Sequence, residues 1–524
     1  MSKRKNHFGL NDPLKLLDHG RPKTRREFIS QGFMTGAATI AGGSLFSLFA
    51  DPKLAQAQLS QDLEDLRVPC GITNGAGKIP FICFDLAGGA NTAGSNVLVG
   101  QAGGQLDFLS TQGYSLQGLP GDMVPSIANP DTGLSDFVDT RLGLAFHSDS
   151  QMLEGITERT TRALGNINGA VIAARSENDT GNNPHNPMYA INQAGAAGDI
   201  VALIGSRASV SGGNSMAPLN FINPEVQPTK VDRASDATGL VDTGSLVGLL
   251  SQDDTVAVLE AAFRLSRSKL DAVNTGISTN DIVQELVSCG YVSSANIADR
   301  FGTLDLNPAN NPDIVGPTGI FTQEEYDNDN EFRKTASIMN LVLNGHAGAG
   351  TVTMGGYDYH TGDRSTGEVR DLRAGRCIGA CLEYAAILNT PLMVYVFSDG
   401  SVFSNGQTDE SELGRGKGVW TGDNQQTAAP FFLVYSPSGQ PTLNAGNQQI
   451  GWMRPGGAVE TASSPAANNV NLLVETIALN YMALHGQSGD FGNVFSGQSL
   501  GGANQLDSLT AFEPIVNGTI TNIL

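Results

Sequence analysis

The chain has 524 residues, with 64 glycines, 6% aromatic and only 16% charged residues, a composition that belongs to loop-rich globular proteins and excludes wholesale disorder. Its net charge of −21 hides an asymmetry: residues 1–57 carry 9 Lys and Arg against 4 Asp and Glu, which leaves the remainder at −26. Such a surface repels nucleic acid and anionic lipid and favours solubility or cation binding, so DNA and RNA are excluded as partners.

The first segment reads as an address. Thr24-Arg25-Arg26-Glu27-Phe28-Ile29 is a twin-arginine pattern, followed by a weakly apolar Gly/Ala-rich stretch from Gly32 to Ala50. Ala55-Gln56-Ala57 supplies a small-x-small cleavage site, so residues 1–57 are expected to be a signal read by the twin-arginine export machinery through Arg25 and Arg26. A permanent anchor needs a longer and greasier segment, and no later run approaches the roughly 18 apolar residues of a span. The mature protein is therefore expected in the periplasm or secreted, with no membrane span after cleavage. That export route carries folded proteins, often loaded with cofactor, which favours a metal or tight-packing requirement.

Residues 58–524 are expected to form a single α/β domain, because helices and apolar strands alternate throughout and no fixed-period repeat appears. Leu59 to Arg67 reads as a short acidic helix or linker. Lys78 to Leu86 is the first strand, and it breaks into the Gly-rich turn Ala87 to Ser95. Glycines directly after a strand let the backbone turn tightly and approach a ligand, but their spacing here is not that of a dinucleotide fingerprint. Gln151 to Leu164 predicts a helix, and Gly169 to Ala174 a strand. The polar loop Asn182 to Pro187 presents His185 just before a helix from Met188, and Ile200 to Ile204 reads as a buried strand. Residues 206–244 lack any period and read as a long surface excursion.

Helices are expected from Ser251, with Val256, Leu259, Phe263 and Leu270 at helical spacing, then over Asn280 to Cys289, ending at Gly290. The acidic clusters Asp305 to Asp313 and Asp327 to Glu331 lack full calcium-loop spacing and read as solvated surface, with Glu324 to Leu343 helical. Further along, Gly406 to Gly422 is charged and Gly-rich, Ala429 to Tyr435 is a strand, and Val470 to Leu484 is an amphipathic helix.

The stretch richest in chemistry runs from Gly350 to Val402. Val352 to Asp358 predicts a strand ending on Asp358-Tyr359-His360, and on an extended chain Asp358 and His360 share a face while Tyr359 points off it. A helix over Thr366 to Asn389 is stopped by Pro391, and the apolar run Leu392 to Phe397 ends on Ser398-Asp399-Gly400. Strand, helix, strand with acids at both strand ends is a βαβ unit, with polar groups in the crevice where open α/β sheets bind ligands.

Five cysteines (Cys70, Cys83, Cys289, Cys377, Cys381) is an odd count for an oxidising compartment, so at least one thiol stays free or pairs elsewhere. A Cys70–Cys83 bridge is left open. Cys377 and Cys381, one helical turn apart with no second Cys or His pair, read as small buried hydrophobes rather than a redox or metal pair.

Taken together, several motifs in order resemble a known family. These are the first strand into Gly88-Gly89-Ala90-Asn91, Leu142 to His147 ahead of a helix, Pro184-His185-Asn186, Gly355 to His360, and the strand into Phe397 to Gly400. The chain resembles the twin-arginine-exported bacterial domain-of-unknown-function 1501 family, itself similar to the alkaline phosphatase/sulfatase superfamily. The resemblance spans most of the mature chain. It implies an alkaline-phosphatase-like α/β fold with a mostly parallel central sheet, helices on both faces and long Gly-rich loops.

That superfamily holds a metal pair that binds phosphate or sulfate and activates a Ser or Thr. By resemblance, Asp358, His360 and Asp399 are the first candidates for metal ligands, with Asn91, Asp85 and His185 as additions. Thr92 and Ser95 are the candidate nucleophiles, and Arg415 and Lys417 the candidate anion-binding pair. The sequence departs from the family pattern at Asn91, which stands for an acid, at Asp399, which stands for Glu, and at Gly414 to Gly418, where an Asp-His-Gly is expected. Three strong ligands suffice for one divalent ion, with zinc, calcium and magnesium all open, and are thin for two. The expectation is an exported protein on a degenerate hydrolase framework. Two alternatives stand beside it: an active metal-dependent phosphate- or sulfate-ester hydrolase, and a non-catalytic envelope binding or assembly protein. A redox role for the cysteines lacks any cofactor signature.

Overall fold

The computed structural model describes residues 59–520 apart from 71, 73–74, 76, 177–182, 243–248, 273–279 and 361. The segment read as an export signal, with Arg25 and Arg26, lies outside the described residues. The described residues fall into two compact units: those from 59 to 70 with those of 242–303, and those of 72–241 with those of 304–520. The excursion placed at 206–244 in the sequence leads into the smaller unit.

That smaller unit holds helices Gln61–Arg67, Gln252–Asp271 and Asn280–Phe301, and a disulfide between Cys70 and Cys289 ties the chain just after the first helix to the third. Cys83, left open as a partner of Cys70, instead lies buried in a strand of the larger unit. The third helix runs through Gly290, where the sequence predicts a stop. A glycine costs only about 1 kcal/mol inside a helix, and Val292, Ala295 and Ala298 beyond it are buried, which outweighs that cost.

The larger unit is built on an eight-stranded, mostly parallel mixed sheet. Its twelve described strands are β1 (Phe81–Gly89), β2 (Val138–Leu142), β3 (Leu144–His147), β4 (Ile167–Ile172), β5 (Val201–Gly205), β6 (Thr229–Lys230), β7 (Ala347–Asp358), β8 (Leu392–Ser398), β9 (Ser401–Thr408), β10 (Gly418–Asn424), β11 (Phe431–Tyr435) and β12 (Gln449–Ile450). The sheet order is β12-β4-β11-β8-β1-β7-β5-β6, and only β11 runs antiparallel to its neighbours β4 and β8. The pairs β9–β10 and β2–β3 form separate two-stranded ribbons.

Alternation along the central strands sorts their side chains onto two cores. Ile82, Phe84, Leu86, Val394 and Val396 face one, with helices Gln151–Arg159, Asn330–Leu343 and Ser365–Ile387. Phe81, Cys83, Met393, Tyr395 and Phe397 face the other, with helices Met188–Gln193 and Val470–Leu484. Coverage on both sides explains the unbroken apolar runs of β1 and β8. The helix expected over 324–343 is two, because Asp329 ends the first and caps the second, its side chain accepting from the Glu331 amide at 2.8 Å. The central βαβ unit is present, and β1 lies between its two strands, pairing with β7 on one side and β8 on the other. The C-terminal ends of these three parallel strands therefore meet at one edge.

Candidate functional site

Two sets of polar side chains gather at that edge, and the residues singled out in the sequence divide between them. At the surface, β7 ends on Asp358 and the chain continues through Tyr359 to His360. Asp358 and His360 do share a face: the His360 Nδ1 is paired with the Asp358 carboxylate and lies 2.8 Å from Asp423 Oδ1. Ligand atoms of Asp358, His360 and Asp423 all lie within 4.8 Å of one another, and all three side chains are exposed. Among the described residues this is the one group of three or more His, Cys, Asp or Glu so arranged.

Asp423 was not among the sequence candidates. It comes from β10, which pairs with β9 through two register shifts that place Asp423 opposite Val402. The Gly422-Asp423-Asn424 triplet carries little signal by itself, and it lies beyond Gly414 to Gly418, where the family pattern would put an acid.

Asp399 and Asp85 belong to the second, buried set, on the Phe397 side of the sheet. Asp85 interrupts the apolar run of β1 and is fully buried. Its Oδ2 accepts from the Asn214 amide at 2.6 Å, the Ser215 amide at 3.0 Å and Thr353 Oγ1 at 3.2 Å, and its Oδ1 accepts from Ser215 Oγ at 3.0 Å. Asp399 Oδ1 accepts from the Gly88 amide at 2.8 Å, and Oδ2 from Asn214 Nδ2 at 3.1 Å. Burial, and then the neighbouring Asp85, push the Asp399 carboxyl up to about 7, and burial raises Asp85 as well. Two carboxyl groups this close and this dry are not both charged at neutral pH. Residues 206–215 are thus no mere surface excursion: Ser211 and Ser215 are buried, and the loop folds back to satisfy Asp85. It does so because an unsatisfied buried carboxylate costs far more than ordering a few loop residues.

His185 is also in this buried region, with its ring stacked against Phe397 at a centroid distance of 6.0 Å. Neither ring nitrogen has a hydrogen-bond partner among the described residues, and burial lowers its pKa to about 3, which favours the neutral imidazole. Asn91 donates from Nδ2 to the Val402 carbonyl at 2.9 Å, while its buried Oδ1 has no partner. Thus Asp358 and His360 are brought together with Asp423, whereas Asp399, Asp85 and His185 line the interior.

The candidate nucleophiles are both buried. Thr92 Oγ1 donates to the Ala429 carbonyl at 2.6 Å, and Ser95 Oγ has no hydrogen-bond partner. Neither hydroxyl is hydrogen-bonded to a side chain able to act as its base.

Arg415 and Lys417 lie in the loop that connects β9 to β10 and are already engaged by acids. Arg415 is paired with Asp149, and the fully buried Lys417 donates to Glu368 Oε2 at 2.8 Å and to the Asp149 carbonyl at 2.6 Å. Arg364 shares Glu368, donating to Oε1 at 2.7 Å, and lies over the Trp420 ring at 4.3 Å. These cations are neutralised within the fold.

The exposed trio has the donor chemistry of a divalent-metal site. One imidazole nitrogen and two carboxylates suit zinc or a similar transition ion better than calcium or magnesium, which prefer all-oxygen sets. A comparison with family models finds no match to this chain, and a comparison with curated proteins finds none either.

Proposed function

We propose that the mature protein is an exported metal-binding protein on an alkaline-phosphatase/sulfatase-like framework, carrying a single open divalent-ion site formed by Asp358, His360 and Asp423. One observation carries this reading: of the acids at the strand ends, Asp358 is exposed beside His360 and Asp423, whereas Asp85 and Asp399 are buried and taken up by hydrogen bonds of the fold itself. A two-metal ester hydrolase needs about six ligands converging on one cavity, together with a hydroxyl held near a base. Here Asp399 and Asp85 are occupied by Gly88, Asn214, Ser215 and Thr353. The candidate hydroxyls face a backbone carbonyl or nothing. The bound ion would keep open positions, which suits capture of an anionic or carbonyl ligand rather than closed structural metal binding.

The mature protein, loaded with Zn2+, Co2+ or Mn2+, is to be assayed against aryl phosphate and aryl sulfate monoesters. The expected result is metal binding without metal-dependent turnover. Hydrolysis that requires the ion and disappears in Asp358→Ala contradicts the non-catalytic reading and favours the hydrolase.

A further inference from the structure

Tyr359, between the two ligands Asp358 and His360, is fully buried, and its hydroxyl donates to Asp371 Oδ1 at 2.6 Å. Asp371 lies in the helix Ser365–Ile387 and is itself buried, with no cation paired to it among the described residues. Its second oxygen, Oδ2, accepts from Asn96 Nδ2 at 2.9 Å. Asn96 also donates to the Asn91 carbonyl at 3.2 Å and accepts from Ser150 Oγ at 2.6 Å. One turn earlier on the same helix, Glu368 receives Lys417 and Arg364, which anchor the start of β10, the strand that carries Asp423 near its end.

A buried carboxyl on a core-facing helix position is costly, and an apolar residue of similar size is often neutral or better for stability. Both acids are instead spent on the two arms of the trio. We propose that Asp371 is a positioning residue for the metal site, holding Tyr359 so that Asp358 and His360 are turned together toward the arm that Glu368 and Lys417 hold in place. The role resembles that of the outer partners which orient first ligands in metal sites generally, acting here through the backbone of the intervening residue. It rests on the reading of Asp358, His360 and Asp423 as metal ligands.

The fold supplies its own control. Tyr357, two residues earlier, is also fully buried, and its hydroxyl donates to the Arg370 carbonyl at 2.8 Å. Its ring lies beside that of Tyr359, 5.6 Å between centroids, but its hydroxyl hydrogen-bonds to neither Asp371 nor Glu368, so removing that hydroxyl leaves the ring packing and the Tyr359–Asp371 bond in place. Zn2+ affinity by competition titration and the visible spectrum of bound Co2+ are to be measured in full-length mature protein for wild type, Tyr359→Phe, Asp371→Asn, the double variant and Tyr357→Phe. The expected result is a roughly 10- to 100-fold weaker affinity in Tyr359→Phe and Asp371→Asn, with an altered Co2+ spectrum and no further loss in the double variant. Tyr357→Phe should keep the wild-type affinity and spectrum even if it lowers stability equally. Tyr359→Phe alone is enough for the test should Asp371→Asn fail to fold. Wild-type affinity and spectrum in Tyr359→Phe overturn the role of Asp371, as does an equal loss in Tyr357→Phe. A wild type that binds neither ion overturns the site reading itself.

Discussion

Gly375 makes a sharp test of how the helix carrying Glu368 and Asp371 is seated. Helix Ser365–Ile387 lies against helix Gln151–Arg159 with the two backbones in contact. A Cβ added at Gly375 would overlap the Met152 carbonyl oxygen and sit 3.0 Å from both the Gly155 Cα and the Ile156 amide nitrogen. Helix propensity alone makes Gly375→Ala stabilising by about 1 kcal/mol. The overlap opposes it, and because the atoms met are backbone, no rotamer change relieves it and the helices must part. Overpacking of this kind costs about 1–3 kcal/mol, and the backbone-to-backbone geometry places it at the upper end. The net is a loss of about 1–2 kcal/mol, with the sign opposite to propensity. Gly290, mid-helix in the smaller unit, is the contrast: a Cβ there meets nothing within 4 Å, so Gly290→Ala should gain up to about 1 kcal/mol. Urea unfolding followed by circular dichroism reads both. A stabilised Gly375→Ala would refute the close helix contact, and with it the seating of the two buried acids.

Two further predictions concern charge and covalent structure. Burial raises the Asp371 carboxyl to about 7, against an ordinary value of 3.8, so the folded state favours its protonated form. Stability from this group is fully present below pH 4 and is lost as the pH rises through 7, a difference of about 4 kcal/mol. Asp371→Asn removes that dependence, so its stability deficit relative to wild type should shrink steadily between pH 4.5 and 7.5 in urea titrations. A deficit that is constant with pH refutes the assignment. The Cys70–Cys289 bridge spans 219 residues. Its reduction, or Cys289→Ser, should destabilise the smaller unit by about 2–4 kcal/mol, seen as faster proteolysis within residues 252–301. Unchanged cleavage rates would show that the bridge contributes nothing there.

The parts of this architecture that could be read from the sequence are those set by local periodicity. The apolar runs of β1, β8 and β11, the helix Val470–Leu484 and the shared face of Asp358 and His360 all follow from spacing along one segment. What could not be read depended on distant partners. Asp423 joins the trio only because β9 and β10 pair with shifted register. Asp399 ends the expected strand, yet its side chain falls on the face where Asp85 and Asn214 take it up. Cys70 meets Cys289 across a sequence separation of 219 residues, a pairing that no local spacing signals. Arg415 and Lys417 looked available for an anion because Asp149 and Glu368 lie far from them in sequence.

The account turns on which acid completes the site with Asp358 and His360. Elemental analysis of the protein after zinc loading and dialysis is to be compared with Asp423→Ala and Asp399→Asn. The structure predicts one ion per chain in wild type, loss of that ion in Asp423→Ala, and its retention in Asp399→Asn. Loss in Asp399→Asn with retention in Asp423→Ala would contradict it, and so would a wild type that holds no ion.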